Sequence, residues 1–242
     1  MNWATKKEKS FTRGLLETVA GIDKRAHLPE FEDVPLAHKF PGSGPVPNAQ
    51  APAFGKKAAI YATCYGNFND QTSGKAALDV LSHNGVQTRI EYPGCCGMPK
   101  LENGDLPAVA SAAETVSAHF STLIDEGYDI VALTPSCALM MKFEWPLILP
   151  ENEAVKKLAA ATRDLSEYIV EISKSKGMMP IAPMDAQIGI HFACHSRAQN
   201  MGSFRMLNRP LLSAVPATVV NGEFSKKILT KRSRLVVLPC VL

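Results

Sequence analysis

Ala58-Ala59-Ile60-Tyr61-Ala62-Thr63, followed at once by Cys64, decides the fold. A short uncharged run of this kind suits a strand buried on both faces, as strands of a parallel sheet are. Downstream, Gly74 to Asn84 has helical spacing and is closed by Gly85, and Val86 to Tyr92 reads as a second strand. Asp105 is placed as the N-cap of a long helix with Pro107 in its first turn, running to Gly127. Asp129 to Leu133 is a third strand, followed by Thr134-Pro135-Ser136-Cys137 and a short helix. Strands alternating with helices of this length pair in parallel through right-handed crossovers. The expected fold is therefore α/β, a parallel β-α-β-α-β unit in a three-layer sandwich.

The flanks differ in character. Lys6 to Ala20 is helical, with Phe11, Leu15, Leu16 and Val19 on one side and Gly21 at the C-cap. Leu28 to Gly55 holds six prolines and three glycines, which suits an extended surface connector. Gly42, Gly44 and Pro45 make no phosphate loop, because no Lys-Ser/Thr pair follows. After residue 150 a weaker cycle follows. Ala154 to Ala161 and Leu165 to Lys176 are helical, with Thr162 or Asp164 as a cap between them. Ile188 to Phe192 is a strand, Ser203 to Ala214 a helix, Ala217 to Val220 a strand ending at Asn221-Gly222, and Leu235 to Leu238 a last strand. The second cycle reads as a shortened copy of the first. Three regions are expected: 1–57, helix and connector; 58–150, a first cysteine-rich domain; and 151–242, a second, diverged and truncated one.

Composition bounds what such a chain does. Its 242 residues are 46% apolar and 20% charged, enough for a packed core and unlike a disordered chain. A formal charge of +3 does not suggest a nucleic-acid partner, and the basic run Lys226 to Arg234 is most simply a solvated face. No apolar run reaches the roughly 20 residues of a membrane span, and Met1 to Ser10 has no signal-peptide core. The expectation is a cytoplasmic chain, with a partner able to hold it peripherally on the inner face of the membrane.

Six cysteines need an explanation: Cys64, Cys95, Cys96, Cys137, Cys194 and Cys240. A reduced chain of this length has no need of disulfides, and adjacent Cys95 and Cys96 could pair only in a strained ring. On the scaffold above, Cys64 follows the first strand, Cys95-Cys96 the second and Cys137 the third. Parallel strands bring all three carboxyl ends to one edge, where open α/β sheets bind ligands. Four converging thiolates repel unless a cation neutralises them, and they suit a soft metal or an iron–sulfur cluster. Pro93-Gly94-Cys95-Cys96-Gly97-Met98-Pro99 makes a tight loop whose backbone, at Gly97 above all, can approach a bulky cofactor. The plainer reading is that these thiols are small buried hydrophobes. His191, Cys194 and His195 form a His-x-x-Cys-His run that could ligate a second metal or simply hydrogen-bond at a strand end. No Ser-His-Asp arrangement, zinc-protease helix or dinucleotide fingerprint is present, so no catalytic residue is assigned.

The spacing carries a resemblance. Cys64, 30 residues, Cys95-Cys96-Gly97, 39 residues, then Cys137 resembles the CCG cysteine-rich domain family, which includes iron–sulfur subunits of the heterodisulfide reductases and of the anaerobic glycerol-3-phosphate dehydrogenases. Tyr61-Ala-Thr-Cys64-Tyr-Gly-Asn67 and Pro93 to Pro99 are most similar to the glycerol-3-phosphate dehydrogenase branch. His191-Phe-Ala-Cys194-His195 resembles the start of the family's second motif, and Arg13 to Phe31 the segment that joins an amino-terminal ferredoxin module to these domains. The resemblance implies an iron–sulfur cluster of [4Fe-4S] type on Cys64, Cys95, Cys96 and Cys137. It also implies an electron-transfer subunit that takes electrons from a flavin-containing dehydrogenase or ferredoxin-type subunit and passes them to a quinone or disulfide.

Departures accompany it. Where the family's motif ends Cys-x-x-Cys, this chain has Cys137-Ala138-Leu139-Met140. Cys194 has no Cys-Cys-Gly after it, only Val219-Val-Asn-Gly222. The ferredoxin module is missing, so the chain reads as a piece of a longer protein or one product of a split system. Two alternatives stand beside electron transfer: cluster-based disulfide reduction, and a structural zinc site in a binding module.

Overall fold

The computed structural model describes residue 2 and residues 10–180 and 194–199. The elements expected at Ile188 to Phe192, Ser203 to Ala214, Ala217 to Val220 and Leu235 to Leu238 lie outside the described residues, as do His191 and Cys240. Helix α1 spans Phe11–Ala20, with Ser10 Oγ accepting from the Arg13 N–H at its start and Gly21 in the left-handed conformation at its end. A short helix, α2 (Leu36–Lys39), falls within the connector. Strand β1 (Lys57–Tyr61) leads to α3 (Cys64–Phe68) and α4 (Thr72–His83), then β2 (Gln87–Glu91), α5 (Met98–Glu102) and α6 (Leu106–Asp125). Strand β3 (Asp129–Ala132) is followed by α7 (Pro135–Leu139), a π-helix (Met140–Glu144) and α8 (Trp145–Ile148). Helix α9 (Glu153–Ala161), β4 (Thr162–Asp164), α10 (Leu165–Ser175) and α11 (Cys194–Ala198) complete the described chain.

All four strands are parallel, in the order β2-β1-β3-β4, and helices cover both faces. The α/β class and the parallel β-α-β-α-β arrangement are as the sequence predicts. Side-chain alternation builds two cores. Ala59 and Tyr61 of β1, with Ile130 and Ala132 of β3, face Val116, Phe120, Trp145 and Leu158 on one side. Ala58, Ile60 and Val131 face Leu78, Leu81, Tyr168 and Ile172 on the other.

Three features depart from the sequence reading. First, the Thr162-Arg163-Asp164 segment is a strand as well as a cap. It pairs with β3 through Ile130↔Thr162 and Ala132↔Asp164, so the first sheet continues past residue 150. Second, the connector is strapped down: Gly44 N–H donates to Thr88 O at 2.7 Å, Ala53 N–H donates to Asn84 O at 3.2 Å, and Leu36 is fully buried. A methyl group at Gly44 would collide with Thr88 Oγ1, which accounts for glycine at that crossing. Third, the helix after Cys137 widens to a π-helix, which turns both Met140 and Met141 into the core.

Asp164 closes β4 and opens α10 with a capping box: its carboxylate accepts from the Ser166 N–H at 2.9 Å, and Glu167 accepts from the Asp164 N–H at 3.1 Å. Burial pushes the Asp164 carboxyl up to about 6, with Glu167 adding to the rise and Lys142 opposing it. A carboxyl that holds its proton more tightly when folded contributes stability below its unfolded value near 3.8, and that contribution is lost as pH rises through about 6. Asp164→Asn retains a capping acceptor and removes the titration. Its urea midpoint is therefore expected to gain on that of the wild type between pH 4.5 and pH 7.5, whereas parallel profiles would contradict the assignment.

Candidate metal centre

The four expected thiols lie at the carboxyl edge of the sheet. Cys64 opens α3 after β1, Cys95 and Cys96 precede α5 after β2, and Cys137 lies in α7 after β3. Because β1 is flanked by β2 and β3, the three loops are neighbours. The sulfurs form a chain: Cys96 Sγ lies 3.0 Å from Cys137 Sγ, and Cys64 and Cys96 stand close enough to Cys95 to act on its ionisation. Cys96 and Cys137 are buried, Cys95 is half-buried and Cys64 is exposed, so one end of the chain faces solvent.

The turn that delivers Cys64 is strained. Thr63 adopts φ 60° and ψ 162°, a region that β-branched residues rarely enter and that costs roughly 1–3 kcal/mol. Its hydroxyl accepts from the Gly66 N–H at 3.2 Å and from Thr134 Oγ1 at 3.5 Å, tying the β1 and β3 loops together. The vicinal loop turns at Gly97, whose φ of 81° suits glycine. A backbone donor faces the sulfurs: Gly97 N–H donates to Cys95 Sγ at 3.4 Å, while the Tyr65 and Met98 amides act to lower the Cys64 and Cys96 thiols.

These contacts polarise the set. The Cys64 and Cys96 thiols hold Cys95 far below the usual thiol range, helped by Gly97 N–H and the Lys100 ammonium and opposed by burial. Cys64 is pushed up by its hydrogen bond to Cys95 and then by burial, and Cys96 by its hydrogen bonds to Cys137 and Cys95. Burial and the nearby sulfurs raise Tyr92 to about 12. Negative charge on one sulfur opposes ionisation of the thiols in contact with it.

The donor set fits a soft metal or cluster in kind, with four sulfurs, one of which already accepts from a backbone N–H group. The spacing is that of thiols in mutual contact: among the described residues no three Cys, His, Asp or Glu side chains stand around a metal-sized gap. Two sulfurs on one tetrahedral zinc lie roughly 3.8 Å apart, from Zn–S bonds of about 2.3 Å. The 3.0 Å Cys96–Cys137 contact must therefore open to admit even a single ion.

Other candidates stand apart. Cys194 is exposed, 3.8 Å from His195 Nδ1, and neither residue hydrogen-bonds to the four sulfurs. Their helix packs on α7, and Gln199 Nε2 donates to Pro135 O at 2.9 Å. Met140 is fully buried in the core beside Trp145, which is a packing role. Lys100 and Thr63 are site residues that the sequence did not single out. Neither has a motif, since one acts by charge across a turn and the other by a backbone angle.

Residues 58–142 match the family model of the CCG cysteine-rich domain. Among curated proteins the chain is similar to lactate utilization protein A of Geobacillus kaustophilus (strain HTA426), 30% identical over 146 residues, which is 57% of each chain. The same-named protein of Geobacillus sp. (strain WCH70) is 27% identical over 198 residues, 74% of this chain and 79% of that one. That of Bacillus cytotoxicus (strain DSM 22905 / CIP 110041 / 391-98 / NVH 391-98) is 30% identical over 146 residues, 57% of each. The matches thus span between about half and four-fifths of these relatives. Together, the cysteine-rich domain and its converged thiols suggest an iron–sulfur or other metal cluster at this sheet edge.

Proposed function

We propose that Cys64, Cys95, Cys96 and Cys137 hold an iron–sulfur cluster of [4Fe-4S] type, and that the chain is an electron-transfer subunit of an oxidoreductase. The observation that carries this reading is the convergence of the four cysteines at three adjacent strand ends, with Cys96 and Cys137 in sulfur–sulfur contact. A bound cluster supplies reversible one-electron exchange. The chain's own contribution is to bind through thiolates, to donate the Gly97 N–H to sulfur, and to exclude water at the buried Cys96 and Cys137. The exposed Cys64 end is the side at which a redox partner approaches.

The partners proposed are a flavin-containing dehydrogenase or ferredoxin-type subunit as donor, and a quinone or disulfide as acceptor. Relatives named for lactate utilization support a place beside an oxidation of lactate or a similar compound. Among the described residues no helix is long and apolar enough to cross a membrane, which is compatible with a cytoplasmic subunit held at the membrane by a partner. Because β4 and its flanking helices complete the first sheet, a shortened second copy of the unit is proposed only for the residues beyond them. The core position of Met140 leaves this motif without a fifth sulfur ligand, favouring electron transfer over disulfide cleavage.

One observation favours a second reading, a four-thiolate zinc site. The Cys96 and Cys137 sulfurs, 3.0 Å apart, stand closer to the separation for one ion than to that for a cluster. Anaerobic purification separates the two. Iron and acid-labile sulfide in near-equal amounts, with visible absorption bleached by dithionite, is the expected result. Zinc without sulfide, unchanged by dithionite, overturns the cluster assignment.

A further inference from the structure

Two backbone carbonyls bracket the vicinal cysteines, and each is taken by a buried aromatic donor. Tyr61 Oη donates to Gly94 O at 2.6 Å, and Trp145 Nε1 donates to Cys96 O at 3.2 Å. Both donors are fully buried. Tyr61 ends β1, three residues before Cys64, and Trp145 opens α8, eight residues after Cys137. Each segment that carries one of the outer cysteines therefore also reaches across to the loop that carries the inner pair.

A trans peptide points its C=O and the following N–H to opposite sides. Drawing Cys96 O toward Trp145 turns the Gly97 N–H the other way, onto Cys95 Sγ at 3.4 Å. Drawing Gly94 O toward Tyr61 fixes the Gly94–Cys95 peptide, and with it the direction of the Cys95 N–H, in the same manner. The Tyr61 ring has little freedom to release its acceptor, being held edge-on by Phe120 at 6.1 Å and stacked with Tyr92 at 6.3 Å. A buried O–H or N–H left without an acceptor is costly, so each bond constrains the loop as firmly as the ring is packed.

We infer that Tyr61 and Trp145 are positioning residues that orient the peptides around Cys95 and Cys96 toward sulfur, and thereby set the reduction potential of the centre. The redox part rests on the proposed cluster; the orientation part does not. N–H donation to ligand sulfur favours the more negative, reduced state, so losing it lowers the potential.

Tyr61→Phe and Trp145→Phe keep an aromatic ring and remove the donor. In anaerobic protein, both are expected to retain wild-type iron. At fixed poise, the reduced-to-oxidised ratio in Trp145→Phe is expected to fall about tenfold, ~59 mV for one electron. Tyr61→Phe shifts the same way and decides the question if Trp145→Phe does not fold. Iron-replete variants that titrate like wild type overturn the inference. In metal-free protein, hydrogen–deuterium exchange over residues 95–98 is expected to speed at least tenfold in each variant. Unchanged exchange there overturns the orientation role. That second arm still decides when wild-type protein binds no iron, the result that would sink the cluster reading instead.

Discussion

Cys96→Ser is expected to lose at least nine-tenths of the bound iron while keeping the far-ultraviolet circular dichroism of the wild type. Cys96 is the interior link of the sulfur chain, joining Cys95 to Cys137, and only 3% of its surface is exposed. Serine occupies nearly the same volume, so packing against Trp145 and Val109 survives. Its hydroxyl is a hard, scarcely ionised donor and a poor replacement for a thiolate on a soft centre. Cys64→Ser, at the exposed end, gives the informative contrast, because water or a buffer ligand can reach that position and partial occupancy is expected. Iron and sulfide per chain, measured on anaerobically reconstituted protein, checks both. Full iron content in Cys96→Ser would remove Cys96 from the ligand set.

The largest effect on stability is expected from Phe120→Ala, at about 3–5 kcal/mol. Phe120 is fully buried on α6, edge-on to Tyr61 at 6.1 Å, in the layer between that helix and the sheet. Removing the ring forfeits its burial and leaves a cavity that the sheet cannot close. The loss is a large part of the roughly 5–15 kcal/mol that typically separates folded from unfolded domains. Urea unfolding is expected to show a much lower midpoint at an unchanged slope. Leu147→Ala, at a side chain 76% exposed, is expected to stay within about 0.5 kcal/mol. A Phe120→Ala cost below about 1 kcal/mol would mean that the α6 layer is not the core described above.

Much of the scaffold was legible because its signals are local. The uncharged run at 58–63 has the pattern of a doubly covered strand, and Asp105 caps α6 by accepting from the Ala108 N–H at 3.2 Å, as its position before Pro107 suggests. Helix and strand ends moved by a residue or two, as with Thr72–His83 where the apolar spacing starts at Gly74. β4 was not legible. Thr162-Arg163-Asp164 has no apolar alternation, and only the open edge of β3 makes it a strand. The Leu28 to Gly55 stretch looks like a free connector because prolines and glycines dominate it. Its binding depends on spaced contacts with Thr88 and Asn84, which lie far along the chain.

At the site the division is similar. The sequence by itself determined which sulfurs meet: cysteines that each follow a strand must share an edge once those strands are parallel, whatever the side-chain details. Tertiary structure alone decided how they meet. The 3.0 Å contact between Cys96 and Cys137, the burial gradient from Cys137 out to Cys64 and the charge settling on Cys95 depend on rotamers and neighbouring donors. The grip of Tyr61 and Trp145 on two carbonyls belongs to the same class. Hydrogen-bond partners 33 and 49 residues apart leave no periodic trace, because a single side-chain donor is satisfied by whichever acceptor the packed fold brings to it.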